Sequence, residues 1–154
     1  MRLTLPRILP TLITTPHHTT PMYRPPVPRY WRYDLGDGWQ AWAGKTAEDN
    51  DLLSFTCARP EELWFHVNGM PGSHVLLKAP EDAGEPTRDL IRATAAIAAF
   101  HSKARTAGMT SVSYTKAKFV GKERGAKPGA VVIRHETLVK VRPALPPGCT
   151  PEQD

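Results

Sequence analysis

Glu61-Glu-Leu-Trp-Phe-His-Val-Asn-Gly-Met-Pro-Gly-Ser-His-Val-Leu-Leu-Lys-Ala79 is the stretch whose reading decides the architecture of this chain. Two runs rich in β-formers flank Gly69-Met70-Pro71-Gly72. Proline presets φ and glycine tolerates φ > 0, so the stretch reads as two strands joined by a turn. In the first run Leu63, Phe65 and Val67 share one face of an extended chain, with Trp64, His66 and Asn68 on the other. The apolar set belongs to a core. The second set has a π surface and hydrogen-bonding tips, which are of most use beside a ligand. The run from His74 to Lys78 is more uniformly apolar and reads as a buried strand that starts at a polar residue.

Upstream, Asp34-Leu-Gly-Asp-Gly38 followed by Trp39-Gln-Ala-Trp-Ala43 predicts a hairpin turning at Asp37-Gly38. Gly44-Lys45-Thr46 has the ending of a phosphate-binding P-loop, but the glycine that motif requires at position 39 is Trp39, so a P-loop is excluded. Thr46-Ala-Glu-Asp49 reads instead as a helix start of the capping-box kind, with acids in the first turn. That helix runs to about Cys57, buries Leu52, Leu53 and Phe55 or their neighbours, and stops at Arg59-Pro60.

Downstream, Leu90, Ile91, Thr94, Ile97, Ala98, His101 and Ala104 follow helical spacing and predict a helix over 87–106. Its stripe has no large partner other than a sheet face. Ser111 to Val120 alternates in the manner of a strand, and Gly121 to Gly129 is a glycine-spaced basic loop. Residues 130–141 read as strand, turn near His135-Glu136, and strand.

The chain has 154 residues, a formal net charge of +5 and 16 prolines, which crowd its two ends. This length suits one domain with a modest core. Acids dominate from Asp34 to Asp89. From Lys103 to Arg142 the only acids are Glu123 and Glu136, against ten lysines and arginines. A basic half of this kind fits an anionic partner, and it equally fits a solvated basic face. Cys57 and Cys149 form no CxxC pair, so neither a zinc ribbon nor a disulfide framework is supported. No apolar run approaches the ~20 residues needed to cross a bilayer. Residues 1–32 carry arginines, prolines and threonines and no acid, and are expected to be disordered. They suit an organellar transit peptide poorly, because the prolines interrupt an amphipathic helix; Met22 is an equally good start. Residues 144–154 form a Pro-rich tail.

Trp64-Phe65-His66-Val67 followed by Pro71-Gly72-Ser73-His74-Val75 resembles the signature of the RNA-binding domain of the NFACT family. Gly44 to Asp51, the Ala-rich helix around Ala95–Phe100 and Gly125-Ala-Lys-Pro-Gly-Ala-Val131 match in the same order. The resemblance spans about Tyr33 to Pro143. Full-length members include ribosome quality-control factors that bring tRNA to stalled large ribosomal subunits and extend nascent chains. Their enzyme-like N-terminal module, helix-hairpin-helix segment and coiled coil have no counterpart here, so the chain resembles a stand-alone version of the domain.

The expected fold is therefore α+β: a single domain over 33–143, a mixed or mostly antiparallel sheet with two helices, between Pro-rich tails. The expected activity is recognition of structured RNA, tRNA or rRNA, in a cytoplasmic setting (organellar if the N-terminal extension is a transit peptide), with the large ribosomal subunit as a further expected partner. No membrane or DNA partner, catalysis, cofactor or metal is expected. Candidate RNA-binding residues are Lys45, Trp64, His66, Ser73, His74, Lys116, Lys118, Lys122, Arg124 and Lys127. In the loop, glycines let backbone N–H groups approach phosphate while Lys122, Arg124 and Lys127 supply charge. Trp64 has two readings, a base-stacking platform or a cap on the core edge. His66 and His74 have three: hydrogen bonding, a metal pair short of its third ligand, or the centre of a small hydrolase. A protein-docking adaptor using the acidic half is the alternative from another class.

Overall fold

The computed structural model describes Met22 and residues 24–149. The expected disorder of the far N-terminal extension and the last residues of the C-terminal tail lie outside the described residues. Strands β1 (Tyr30–Gly36) and β2 (Trp39–Gly44) form the first hairpin. Its turn residues Asp37 and Gly38 have φ of 53° and 87°. Both central residues of a type I′ turn need positive φ, which Asp-Gly supplies. β1 begins at Tyr30 because Tyr30 and Trp31 pair with Gly44 and Ala43 across the hairpin.

Helix α1 (Ala47–Leu52) starts as read. The Thr46 hydroxyl accepts from the Asp49 N–H, while the Asp49 carboxylate accepts from the Thr46 N–H. It widens into a π-helical turn over Leu53–Cys57 and ends where Ala58 becomes extended ahead of Arg59-Pro60. Leu53 is buried, Leu52 half-buried and Phe55 exposed. Strands β3 (Leu63–Val67) and β4 (Val75–Lys78) are the two arms of the deciding stretch, pairing Trp64 with Leu76 and Phe65 with Val75. Every residue of β4 is buried.

Helix α2 (Arg88–Phe100) is capped by Thr87 and stops earlier than the spacing predicts. The cause is competition for its backbone. The Ser73 N–H donates to His101 O, the Lys103 N–H donates to Pro71 O, and Ser102 bridges Gly72. The loop of the deciding stretch thus captures the chain as it leaves the helix. Strand β5 (Thr110–Lys116) also falls short of the expected Ser111–Val120 run. Ala117 N and Lys118 N donate to Glu62 O and Pro60 O, which turns Ala117–Phe119 into a 3₁₀ turn. Lys116 and Lys118 therefore do not share a strand face. The two strands expected around His135 exist but do not pair with each other. β7 (Val132–Ile133) pairs with β6 (Val120–Gly121), whereas β8 (Thr137–Val141) pairs with β5. His135, at φ 58°, carries the chain from one sheet to the other.

The main sheet has the order β1-β2-β4-β3-β5-β8, with every neighbouring pair antiparallel. The fold is α+β. Along β3, Phe65 faces α2, where Ala95, Ile97, Ala98 and Ala99 close over it with Val75, Leu77 and Val112. The alanines let the helix axis approach the sheet. The other face has its own core, formed by Leu53, Trp64, Leu76 and Val120, with Val131 and Ile133 packed on it. One strand thus feeds two cores, because α1 and the β6–β7 ribbon cover the side that alternation alone leaves open. Beyond β8, Ala144 N donates to Ala96 O, and Leu145 and Cys149 pack on the α2 core.

Phe65 is completely buried between α2 and the sheet. Phe65→Ala is expected to destabilise the fold by ~3–5 kcal/mol, the range for emptying a buried aromatic site. Chemical denaturation measures it, and a loss under ~1 kcal/mol contradicts this packing.

Candidate nucleic-acid interface

His74 immediately precedes β4 with its ring turned into the second core, and only 2% of the residue is exposed. Its backbone N–H donates to the Asn50 side-chain oxygen at 3.0 Å. That oxygen lies so close to Gly44 that a Cβ there would stand 2.1 Å from it, so position 44 admits only glycine. Around the ring the bonds have one consistent direction. Trp64 Nε1 can only donate, and it donates to Ser54 Oγ at 2.8 Å. The Ser54 hydroxyl proton is then free to reach His74 Nδ1, also at 2.8 Å. His74 Nε2 must carry the hydrogen, because its partner is the carbonyl of Gly129 at 3.1 Å. This chain requires a neutral imidazole. Burial, together with His66 close by, pushes the His74 pKa down to about 4. Burial lowers that of His66 as well.

The basic loop is fastened from two sides. Asp51 accepts from the Gly129 N–H at 3.0 Å and from Lys122 Nζ, and Lys122 Nζ also donates to the carbonyls of Lys127 and Ala130. Gly129 has φ +85°, and a Cβ on it would come within 3.3 Å of Ala47. Only glycine meets both demands. Lys122 is thus the internal pin of the loop, while Arg124 and Lys127 are exposed on its outside.

On the other side of Ala47 lies a groove of about 420 Å³ between the first hairpin, the Pro71–Ser73 loop and the end of α2. Trp31, Lys45, Ser73, Phe100, Lys103 and Arg105 are among the residues that line it. Ser73 points inward and donates to Gly44 O at 2.6 Å.

Residues 29–135 match the model of the NFACT protein RNA-binding domain. The chain belongs to that family. The Rqc2 homolog RqcH of Bacillus subtilis is 34% identical over 120 residues, covering 78% of this chain and 20% of that protein. The protein of the same name from Streptococcus suis is 38% identical over 100 residues, or 65% of this chain and 18% of its own length. The chain therefore spans about a fifth of these curated relatives. A solved structure of the C-terminal part of the fibronectin/fibrinogen-binding protein from Streptococcus suis superposes with a TM-score of 0.69 at 31% identity, over 84% of this chain and 51% of that one.

The structure places the candidate residues of this NFACT domain in three groups. Lys45 and Ser73 line the groove. Trp64 and His74 are buried, Trp64 at 1% exposure, so its indole serves the second core and has no face open to a base. His66 is half-buried beside His74 at the rim of a hollow of about 410 Å³ that Asn68, Ser113 and Glu136 also line. Neither ring nitrogen of His74 is left over for a metal or a substrate. The third group is the lysines and Arg124. Lys116 and Lys118 both grip the Glu61 carboxylate, at 2.8 and 2.7 Å, and Lys122 grips Asp51. The candidate charges are thus divided, and Arg124 and Lys127 remain without an ion pair among the described residues. Sequence reasoning passed over Trp31, placed in the tail, and Phe100, read only as part of the Ala-rich helix. The alternation of Tyr30 to Leu35 was the signal that could have found Trp31.

His74 and His101 both have pKa values near 4, and His66 is shifted the same way. In unfolded chains histidine titrates near 6.5. Between about pH 6.5 and 4 the unfolded state then binds more protons, so stability is full above that window and falls as the pH drops through it. The slope is ~1.4 kcal/mol per pH unit for each histidine that stays neutral when folded. Equilibrium unfolding at several pH values should show this decline, and His74→Gln should flatten it by about one histidine's share. An unchanged slope would remove His74 from the account.

Proposed function

We propose that this domain binds structured RNA, tRNA or rRNA, as a module without catalysis of its own, in the setting of ribosome quality control, through the basic face on either side of Ala47. The observation that carries the reading is the fastening of the Gly121–Gly129 loop. Asp51 and His74 hold its base, Lys122 is used inside it, and Arg124 and Lys127 are turned outward. An ordered loop presents charge to phosphate with less conformational entropy to lose on binding than a mobile one. Gly129 brings it against Ala47, which also lines the groove holding Lys45, Lys103 and Arg105. Cations from three separate segments thus border Ala47 from its two sides, and several separate phosphate contacts are how a protein positions itself on a nucleic-acid backbone.

Family membership supports RNA as the partner. A cytoplasmic site of action fits this reading. No described helix is long and apolar enough to cross a membrane. The protein-docking alternative, through the acidic half, loses four of the eleven acids between Asp34 and Asp89 to internal pairing, since Glu61, Glu62, Asp49 and Asp51 all hold cations of the same chain.

A salt titration of labelled tRNA binding tests the reading. Arg124→Ala with Lys127→Ala is expected to weaken binding and reduce the slope of log K against log salt by ~1.4–1.8, at ~0.7–0.9 for each phosphate no longer neutralised. The melting temperature should stay nearly constant, because neither side chain supports the fold. Arg88→Ala, at the far end of α2, should leave slope and affinity unchanged. Equal effects from both variants would mean that net charge alone matters, and tRNA binding insensitive to salt would remove the phosphate reading.

A further inference from the structure

We propose that the groove beside Trp31 receives one unpaired RNA base together with its flanking phosphate, with Trp31 as the stacking platform and Lys45, Lys103 and Arg105 as the phosphate contacts. This rests on the RNA-binding reading and specifies which structural class of RNA the domain selects. The first observation is the state of the Trp31 ring. One of its faces lies on the His101 imidazole, at 4.5 Å between centroids and 15° between planes. His101 is itself fixed by a 2.7 Å hydrogen bond between its Nε2 and the Tyr33 hydroxyl. A ring backed in this way is held in place, and only its other face can take a partner. That face carries the Lys45 ammonium, 5.0 Å from the centroid.

The second observation is the lining. Lys45, Lys103 and Arg105 border the groove, and among the described residues no Asp or Glu does. Arg105 lies 4.0 Å over the Phe100 ring while its Nε donates to the Phe100 carbonyl, so the guanidinium is already positioned at the groove wall. His101 adds no charge, because burial and then the nearby Arg105 keep its imidazole neutral.

Magnitudes decide what occupies the platform. An exposed cation–π contact is worth a factor of about 2–5 in an equilibrium, whereas a base stacked on an aromatic side chain is worth about 5- to 150-fold. Stacking therefore outcompetes the Lys45 contact for the ring face, and Lys45, which borders the same groove, stands beside the phosphate of the stacked base. A base in a duplex cannot make this exchange. Its faces are already stacked, and an A-form helix offers proteins its backbone and 2′-hydroxyls. The groove thus distinguishes loops, bulges and single-stranded ends from paired stems, while the Arg124–Lys127 loop contacts either.

The experiment uses the 154-residue chain and two labelled RNAs of equal length, a hairpin with an unpaired loop and a blunt duplex. The hairpin is expected to bind more tightly. Trp31→Ala should cost about 5- to 150-fold on the hairpin and leave the duplex nearly unchanged, and Trp31→Phe should retain most of the hairpin preference. Because Trp31 also packs on His101, a second readout does not depend on a substitution. A 4-thiouridine placed in the hairpin loop of the wild-type complex should crosslink to the peptide bearing Trp31. Crosslinks confined to residues 121–129, or equal wild-type affinity for hairpin and duplex, would overturn the groove while leaving RNA binding intact. Binding of neither RNA would remove both readings.

Discussion

The constraint on which the rest of this structure depends is the neutrality of one buried imidazole. His74 accepts from Ser54 and donates to Gly129, and a protonated ring would have to donate at both nitrogens. The Ser54 oxygen, already taken by the Trp64 N–H, would then leave its own proton without a protein partner in a buried site. Through this ring and the adjacent backbone bond to Asn50, four segments distant in sequence are held in register: the helix after the first hairpin, β3, β4 and the basic loop. Apolar contact cannot do this, because it is indifferent to rotation and small sliding. The α2 face of the sheet is fixed by volume and the opposite face by direction.

That division explains what could be read in advance. The hairpin at Asp37-Gly38, the helix start at Thr46, the two arms of the deciding stretch and the α2 stripe are all local signals, carried by turn chemistry, capping or periodicity within a dozen residues. The failures share one cause. The early end of α2, the shortened β5 and the parting of β7 from β8 each follow from hydrogen bonds between segments far apart in sequence, such as Lys103 with Pro71 and Ala117 with Glu62. Trp64 shows the same limit at a single residue. Its parity on β3 was correct, but alternation says which side a residue faces and not whether α1 and a second ribbon cover that side.

The charge pattern also has to be reinterpreted. An acidic half followed by a basic half suggests two surfaces for two partners. In the fold three of the ten cations of the basic half are held by acids of the other half. Glu61 holds Lys116 and Lys118, and Asp51 holds Lys122. Glu61 is fully exposed, and the hydrogen bond from Lys116, then that from Lys118, draws its pKa down to about 2. The first two pairs tie the loop before β3 to the end of β5 and the turn after it, and the third ties α1 to the basic loop. What remains for a partner is a smaller set of cations than the sequence count implies, and it is defined by position instead of number.

Position, in turn, follows from where the backbone is forced to cross. The Pro71–Ser73 loop ends α2, the Ser73 hydroxyl bonds to the carbonyl of Gly44, and Gly44 must stay bare for Asn50 to reach His74. These demands draw the first hairpin, the start of α1 and the end of α2 to one point. Trp31, Lys45, Lys103 and Arg105 are the side chains those elements carry outward there. The residues that make the junction rigid are small or neutral, and the residues it displays are aromatic or cationic. The signature motif therefore marks this surface without forming it: its Trp and second His are spent on the scaffold, and the ring and charges displayed at the groove come from segments on either side of it.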